Sequence, residues 1–445
     1  MSLNTPSRRQ FLSTTGSAFA ALLASGCMTR VAPALTGAGS ALPGYGPLVP
    51  DPAGMLDLPQ GFSYRLLSSL GDAMDDGGTV PDKADGMGCL DIGNGEIVLV
   101  RNHELIPSDD AGGPIAKGFG THNGKTVSGG TTNIVLDAKT LEVKRQFRTL
   151  GGTIRNCSGG VTPWGSWLTC EEAPTGPGQR YGEGLAVNHG WVFEVPGNAT
   201  GLVEPTPLRA MGRFNHEAAC VDPETGIVYM TEDRDEGVLY RFIPNTRTKL
   251  ADGGRLQAMV IDGLKDTRNW DAATMPVSKT FTTRWVDLDD VEAPKDDLRT
   301  QAATKGAALI ARGEGLHMGE DEMYFCSTSG GANKLGQIFK LIPGRGSAPD
   351  RVELFFESES SDQFNYGDNL CVSPNGHLIV CEDQYTDVVD NHLRGITPAG
   401  EAYDFGGLRM QTELAGGCFS PDGKWFFVNA YAPTRTVAIT GPWAA

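Results

Sequence analysis

The sequence has 445 residues, a formal net charge of −17, 59 glycines and 27 prolines, and only 20% of its residues are charged. Nucleic acid and anionic membrane surfaces would repel so acidic a chain, which excludes both as general partners. Phosphate esters would be repelled as well, unless bound cations neutralise the acids. The glycine and proline content, with 40% hydrophobic residues, indicates a turn-rich globular protein rather than a disordered one.

Residues 1–27 are predicted to be an export signal. Residues 7–12, Ser-Arg-Arg-Gln-Phe-Leu, form a twin-arginine pattern typical of the bacterial Tat route, and the apolar stretch that follows is too short to span a membrane. Cys27 follows Ala-Ser-Gly, which approximates a lipoprotein cleavage box; ordinary cleavage further on is the alternative. We therefore expect a periplasmic or extracellular protein with a flexible tether over residues 28–50. Only a lipid on Cys27 would attach it to a membrane.

A short unit recurs through the rest of the chain. Each copy has a turn that contains glycine, an apolar run of four to six residues, and a polar or acidic ending. Such β-branched and aromatic runs, bounded by turns, are typical of buried strands. With insertions, the spacing of the copies approaches that of propeller blades, which recur about every 40–50 residues. The glycines that mark the copies are Gly95, Gly165, Gly226, Gly319, Gly376 and Gly423.

We therefore predict an all-β fold, a six-bladed β-propeller with inserted loops, as a single domain over residues 51–445. Helical periodicity is convincing only from about Asp297 to Ala311, which predicts one short helix. A β-sandwich or a multi-domain β chain is the alternative.

Acidic residues end four of the copies. Equivalent strand ends in a propeller converge at one end of the channel, so these carboxylates are expected to meet there. They would repel one another strongly unless cations hold them, and oxygen ligands in such number suit Ca²⁺. A single carboxylate of this kind would be a solvated surface charge, but the repetition favours metal binding. The residues are Glu104 and the pairs Glu171-Glu172, Glu232-Asp233 and Glu382-Asp383.

Four further residues stand in settings that favour chemistry. Cys157 lies in a polar loop, where a cysteine is more easily a metal ligand than a core residue. Glu217 precedes small residues, so the backbone can approach closely there. Glu314 lies between two glycines, and the planar guanidinium of Arg312 could pair with phosphate oxygens, or simply with Glu314. The sequence has no zinc-protease, Walker A or nucleophile-elbow motif.

Taken together and in order, several strings resemble the PhoX family of bacterial alkaline phosphatases. The matching strings cover most of residues 60–430. They are Arg101-Asn102-His103-Glu104, the run from Asn156 to Gly165 with Glu171-Glu172, Gly212 to Ala218, Thr231 to Arg234, Ala311 to Gly315, Asp368 to Pro374, and Cys381 to Asp383.

The resemblance implies a six-bladed propeller whose cofactor contains two ferric ions (Fe3+), a bridging oxo group and three calcium ions (Ca2+). By motif match, Cys157 would be the thiolate ligand of iron, and Glu217 and Glu314 would bridge iron and calcium. Arg312 would grip the phosphate. Two arginines, Arg148 and Arg155, are candidates for a second basic contact upstream of the cysteine. Further ligands would be Glu172, Asp233 and Glu382, with the choice within each acidic pair left open.

We thus predict an exported, metal-dependent phosphomonoesterase that acts on small-molecule phosphate esters and is a monomer. The predicted catalytic residues are Arg312, Glu314 and Glu217. The predicted metal ligands are Cys157, Glu104, Glu172, Glu217, Asp233, Glu314 and Glu382. The alternative functions are a calcium-dependent propeller lactonase or phosphotriesterase, and a non-catalytic propeller lipoprotein that binds a partner.

Overall fold

Short β-strands make up nearly all of the regular structure. The computed structural model describes residues 43–179, 182–384 and 389–443. One α-helix, α1 (Leu298–Thr304), and two 3-10 turns, Arg209–Met211 and Leu250–Asp252, accompany the strands. None of the described helices is long and apolar enough to cross a membrane. In chain order, β1 to β28 are Leu48–Val49, Leu56–Pro59, Ser63–Ser69, Ala84–Gly93, Glu96–His103, Thr121–His122, Lys125–Thr126, Gly129–Asp137, Val143–Thr153, Asn156–Val161, Ser166–Glu171, Val192–Pro196, His216–Val221, Val228–Glu232, Tyr240–Pro244, Gly254–Ile261, Thr280–Asp287, Gly313–Met318, Met323–Ser327, Gln337–Ile342, Arg351–Glu357, Gly367–Val372, Leu378–Glu382, His392–Ile396, Ala402–Leu408, Leu414–Phe419, Phe426–Ala430 and Arg435–Thr440.

The strands pair in antiparallel meanders. The sheet orders are β4-β5-β8-β9, β10-β11-β12, β13-β14-β15-β16-β17-β21-β20-β19-β18, β22-β23-β24-β25-β2-β1 and β26-β27-β28-β3, and β6-β7 is a separate hairpin. Six strands that begin these meanders, β4, β10, β13, β18, β22 and β26, touch one another in this order, and β26 returns to β4. The result is a propeller-like ring of sheets around a channel, which confirms the all-β class predicted from the sequence.

The six apolar runs recognised in the sequence lie one strand away from the channel. They form β5, β11, β14, β19, β23 and β27, and each pairs with one of the six inner strands. The sequence analysis predicts that these runs are the innermost strands. That prediction is wrong, because each run lies one strand further from the channel. Inner strands such as Asn156–Val161 are rich in glycine and small residues, so they lack the long apolar run that marks a strand in the sequence.

The chain closes the ring near its two ends. Strand β3, close to the start of the folded region, pairs with β28, close to its end. Residues 43–50 belong to this unit as well, because β1 pairs with β2 and the ring of Tyr45 packs edge-on against Phe62, with centroids 4.9 Å apart. The compact unit that the structure describes therefore includes residues 43–50, which the sequence analysis assigned to the tether. The predicted signal and the rest of the predicted tether fall outside the described residues.

The helix is shorter than predicted. Periodicity suggested a helix from about Asp297 to Ala311, whereas α1 ends at Thr304. Gly306 has a φ of +94°, the left-handed conformation that commonly terminates helices. Beyond it, the chain forms an isolated bridge from Ile310 to Gly237 on its way to the inner strand β18.

Trp443 anchors the closure of the ring. Its side chain is buried among Phe62, Phe405 and Phe419, with ring centroids 4.8–5.0 Å away, and its indole N–H donates to the carbonyl of Lys424. We predict that Trp443→Ala lowers the free energy of unfolding by about 3–5 kcal/mol because it leaves a large cavity. Urea denaturation followed by fluorescence or circular dichroism measures this.

Leu70→Ala is the control, since this side chain is 45% exposed and its truncation should change the stability by less than about 0.5 kcal/mol. Equal stability of the two variants would show that the aromatic cluster does not hold the closure.

Candidate metal centre

Every inner strand shifts register against its neighbour near the cavity, and β4 has a second shift further along, between Asp91 and Gly93. In five strands the shift frees two residues at the same level, and in β26 it comes one residue later, at Gly416 and Gly417. A β-bulge of this kind re-aims a side chain. The first freed residue of the five strands faces a common cavity, and these residues are Asp85, Cys157, Glu217, Glu314 and Asp368.

A second ring of side chains comes from the residues that directly follow the strands paired with the inner strands. The residue directly after β5, β11, β14, β19 or β23 donates its backbone N–H to a carbonyl that lies two residues before the channel-facing residue, and the residue after β27 donates to the carbonyl of Glu413, just before β26. This contact occurs six times, at 2.9–3.2 Å, in the pairs Glu104–Lys83, Glu172–Arg155, Asp233–Asn215, Thr328–Arg312, Asp383–Tyr366 and Tyr431–Glu413. The backbone thus fixes which residue of each acidic pair faces the cavity.

The cavity has a volume of about 150 Å³ and an unusual lining. It holds nine carboxylates, two guanidinium groups and one thiol. The lining residues are Asp85, Glu104, Arg155, Cys157, Glu172, Glu217, Asp233, Arg312, Glu314, Asp368, Asp383 and Glu413.

Within this lining, two groups of three donors are close enough to share a metal ion. Cys157, Glu172 and Glu217 form one group, and Glu217, Glu314 and Asp368 form the other. In each group the donor atoms lie within 4.8 Å of one another. Glu217 belongs to both, so its carboxylate can bridge two ions. A set that mixes one thiolate with many carboxylates suits a transition-metal ion beside hard cations such as Ca²⁺.

Burial and mutual repulsion oppose ionisation of these groups. Burial, and then the nearby Glu314, raises the pKa of Glu217 well above its usual value. The pKa of Asp368 rises to about 8, chiefly through burial and then through Asp383. Burial and the adjacent Glu217 also hold the pKa of the Cys157 thiol well above its usual value. A bound cation would reverse this balance, because it stabilises the charged forms.

Two orphaned oxygens fit a cation in the same place. The Oδ1 atoms of Asp85 and Asp383 are buried and have no hydrogen-bond partner among the described residues. Buried polar atoms are nearly always paired, so such oxygens call for a ligand that the protein chain does not supply. The residues present therefore fit a multi-metal site.

Arg155 and Arg312 occupy equivalent places two residues before Cys157 and Glu314. Both have left-handed backbone, with φ of 44° and 49°. Arg155 bridges Glu104 and Glu172 at 2.6 and 2.5 Å, and Arg312 bridges Asp233 and Glu314 at 2.7 and 3.0 Å. Their side chains keep 32% and 30% exposure, so each can still present an N–H face to a ligand in the cavity mouth.

The guanidinium groups also set which acid stays ionised. Burial opposes the charge on Asp233, but the contact with Arg312 outweighs it and leaves the pKa of Asp233 below its usual value.

The first member of each acidic pair has a structural task instead. Glu171 accepts hydrogen bonds from His189 (2.6 Å) and from the backbone N–H of Gly190 (2.8 Å). Glu232 accepts one from the Tyr240 hydroxyl.

Glu382 is the predicted ligand that the structure places elsewhere. It lies outside the cavity lining, where it accepts hydrogen bonds from Arg394 (2.7 Å) and contacts His392 (3.1 Å). Its neighbour Asp383 faces the cavity in its place. The other predicted ligands and the three predicted catalytic residues all line the cavity.

Of the two candidates for a second basic contact, the cavity contains Arg155. Arg148 is buried elsewhere, and its guanidinium donates to the carbonyl of Ala111. Sequence reasoning missed Asp85, Asp368 and Glu413. The only local signal was shared by the first two, each of which is followed by glycine or asparagine at the start of a run of small and apolar residues.

Glycines allow the inner strands to approach closely at the level of the bulges. A Cβ atom on Gly86 would lie 2.5 Å from the Cα of Ser158 and 2.6 Å from the carbonyl oxygen of Cys157. A Cβ atom on Gly315 would lie 2.7 Å from the Cα of Asn369. The donors can converge because no side chain separates these strands.

Comparison with known proteins gives a consistent family match. The family model described as alkaline phosphatase PhoX matches residues 43–144 and 128–434. No curated protein sequence matches the chain. Among solved structures, Pseudomonas fluorescens PhoX in complex with vanadate, a transition state analogue, is 19% identical, with a TM-score of 0.65 and coverage of 87% of this chain and 96% of that one. A gluconolactonase from Xanthomonas campestris is 15% identical, with a TM-score of 0.42 and coverage of 90% and 98%.

We predict that Gly86→Ala destabilises the protein by about 1–3 kcal/mol, because the new methyl group must displace the bulge that carries Cys157. Urea denaturation measures the loss. Gly201→Ala is the matched control, since a Cβ atom there meets nothing within 4 Å. If Gly86→Ala were as stable as that control, the close approach of these strands would not be a constraint.

Proposed function

The chain belongs to the PhoX family of alkaline phosphatases, and we propose that it hydrolyses small phosphate esters in the carboxylate-lined cavity. Members of that family are exported, metal-dependent phosphatases, and the chain is accordingly a phosphomonoesterase. One observation supports placing the reaction in this cavity. Metal donors and two partly exposed arginine side chains line the same 150 Å³ space.

Charge is the reason that metal ions belong in the mechanism. Nine carboxylates and a thiol against two guanidinium groups would repel a phosphate ester. When bound, metal ions supply the positive charge and the Lewis acidity that polarise phosphoryl oxygens and activate water. We propose Ca²⁺ and Fe³⁺, as the family resemblance implies.

The ligand assignment follows the two donor groups. We propose Cys157, Glu172 and Glu217 around iron, and Glu217, Glu314 and Asp368 around a neighbouring ion. Glu104, Asp233 and Asp85 would complete the set from the same cavity. Asp383 takes the place that the sequence assigned to Glu382, because only Asp383 faces the site.

Arg312 and Arg155 are proposed to bind the phosphoryl group. Each already lies between two carboxylates, which fixes the plane of its guanidinium before substrate arrives. Such preorganised donors stabilise the charge that spreads over the transferring phosphoryl oxygens. The described lining contains no serine, threonine or histidine, and we assign its thiol and carboxylates to the metal ions, so we propose that water attacks the phosphorus.

We also infer that the ring has six blades. The six inner strands touch in a closed order, each shifts register near the cavity, and the same backbone hydrogen bond recurs once for each. The nine-stranded sheet would then be two blades, β13-β14-β15-β16 and β18-β19-β20-β21, joined through the pairing of β17 with β21. Export by the Tat route and a lipid on Cys27 remain predictions from residues outside those described.

The first test is hydrolysis of p-nitrophenyl phosphate at alkaline pH by protein exported from cells through its own signal. We expect strong activity that excess EGTA abolishes and added Ca²⁺ restores, because the cavity carboxylates repel the ester once their cations are removed. A folded, iron-containing sample that is inactive with Ca²⁺ present would refute the proposed function.

The second test concerns Arg312. We predict that Arg312→Lys lowers kcat/KM for p-nitrophenyl phosphate by about 10²–10³-fold, because one ammonium group cannot reproduce the two-pronged contact with phosphoryl oxygens. Arg345→Lys is the matched control, since Arg345 forms a similar pair with Asp222 at 32% exposure but lies outside the cavity lining. Equal losses in both variants would indicate a general effect of removing a guanidinium group.

A further inference from the structure

Asn102 makes four hydrogen bonds across the boundary between two sheets. It lies on β5 with no solvent exposure. Its Nδ2 donates to the carbonyl oxygens of Cys157 (2.9 Å) and Ser158 (2.8 Å). Its Oδ1 accepts from the indole N–H of Trp167 (2.9 Å) and the hydroxyl of Thr169 (2.8 Å). The full hydrogen-bonding capacity of the amide is therefore used.

The two carbonyl groups that Asn102 holds belong to the bulge of β10. Residues in a bulge are left unpaired in the ladder, so their backbone groups need other partners. Asn102 supplies both partners from the neighbouring sheet, and Trp167 and Thr169 fix the amide from the other side. The Cys157 sulfur then lies 3.2 Å from the carbonyl oxygen of His216, on the side of Glu217.

The same contact recurs at the equivalent position of two other sheets. Thr231 donates its hydroxyl to the carbonyl of Glu314 (2.6 Å), and Asn429 donates its amide to the carbonyl of Asp85 (2.7 Å). Like Asn102, each lies two residues before the residue of the second ring, and each reaches the channel-facing residue of the next inner strand. Because the contact recurs, we infer that it orients the metal-donor side chains and is not an accident of local packing.

We propose that Asn102 is a positioning residue that fixes the bulge of β10 and so directs the Cys157 sulfur into the metal cavity. This inference rests on the proposed function where it takes Cys157 as a metal ligand. The hold on the bulge is a property of the metal-free protein and can be tested without any metal.

The test compares Asn102→Val with Asn102→Thr, two side chains of the same shape that differ in one hydroxyl group. In metal-free protein, the rate at which iodoacetamide labels Cys157 is followed by mass spectrometry of its peptide. We expect Cys157 to be labelled about tenfold faster in Asn102→Val. Losing buried hydrogen bonds should raise the equilibrium constant for local opening of the bulge by about that factor. Asn102→Thr should stay close to the unsubstituted protein, because its hydroxyl can donate as that of Thr231 does.

Asn133→Val controls for the loss of a buried asparagine. Asn133 has no solvent exposure and lies on β8 outside the cavity lining, and among the described residues its side chain accepts a hydrogen bond from Thr149. If Asn102→Val does not fold, Asn102→Leu replaces it, because leucine has nearly the shape of asparagine and cannot donate a hydrogen bond. An unchanged labelling rate in the donor-deficient variant would overturn the proposal. So would an acceleration in Asn102→Thr or Asn133→Val as large as that in Asn102→Val.

The loaded protein gives a second readout. A shifted or weakened thiolate-to-iron absorption band in Asn102→Val, with the band retained in Asn102→Thr, is the expected result. An unsubstituted protein that binds no iron and shows no phosphatase activity would refute the proposed function. The labelling rates would still decide the role of Asn102.

Discussion

Mutual repulsion among nine carboxylates in one small cavity is the constraint on which the rest of this structure depends. Two guanidinium groups offset only part of it, and burial raises the pKa of most of the acids, which disfavours their charged forms. Metal ions that bind these carboxylates would stabilise the folded chain as well as create the reaction site. A rigid frame is needed to hold such groups together, and a ring of inner strands with glycine contacts provides one.

The frame solves the problem by dividing each acidic pair between two tasks. The first residue ends a strand and is buried against a local donor, as Glu171 is against His189 and Glu382 against Arg394. The second faces the cavity, and a repeated backbone hydrogen bond fixes its place. Because successive residues of a strand point to opposite sides, two adjacent carboxylates cannot both face one cavity. This geometry explains why each acidic pair contributes one carboxylate to the cavity and not two.

The sequence predicted the all-β ring, the convergence of acidic strand ends, and most of the lining, because these depend on repeated local patterns. It did not predict which strand faces the channel, since the inner strands are short of apolar residues and their glycines look like loop residues. Asp85 and Asp368 were missed for that reason, and the choice between Glu382 and Asp383 could not be made without the pairing register. The predicted helix was too long because Gly306, in the left-handed conformation, ends it. Residues 43–50 looked like a tether because Trp443, an aromatic partner of Tyr45, lies near the other end of the sequence.

The cysteines show that position in the frame, rather than residue type, decides chemistry. Cys170, Cys326 and Cys381 occupy the places that correspond to Asn102, Thr231 and Asn429, two residues before the second ring. There they are fully buried fillers with strongly disfavoured thiolates. Cys157 is also buried, yet the bulge of β10 turns its sulfur toward Glu172 and Glu217, where a cation can stabilise the thiolate. The described cysteines are chemically identical thiols, and among them the one at the bulge of β10 lies where a metal ion could bind it.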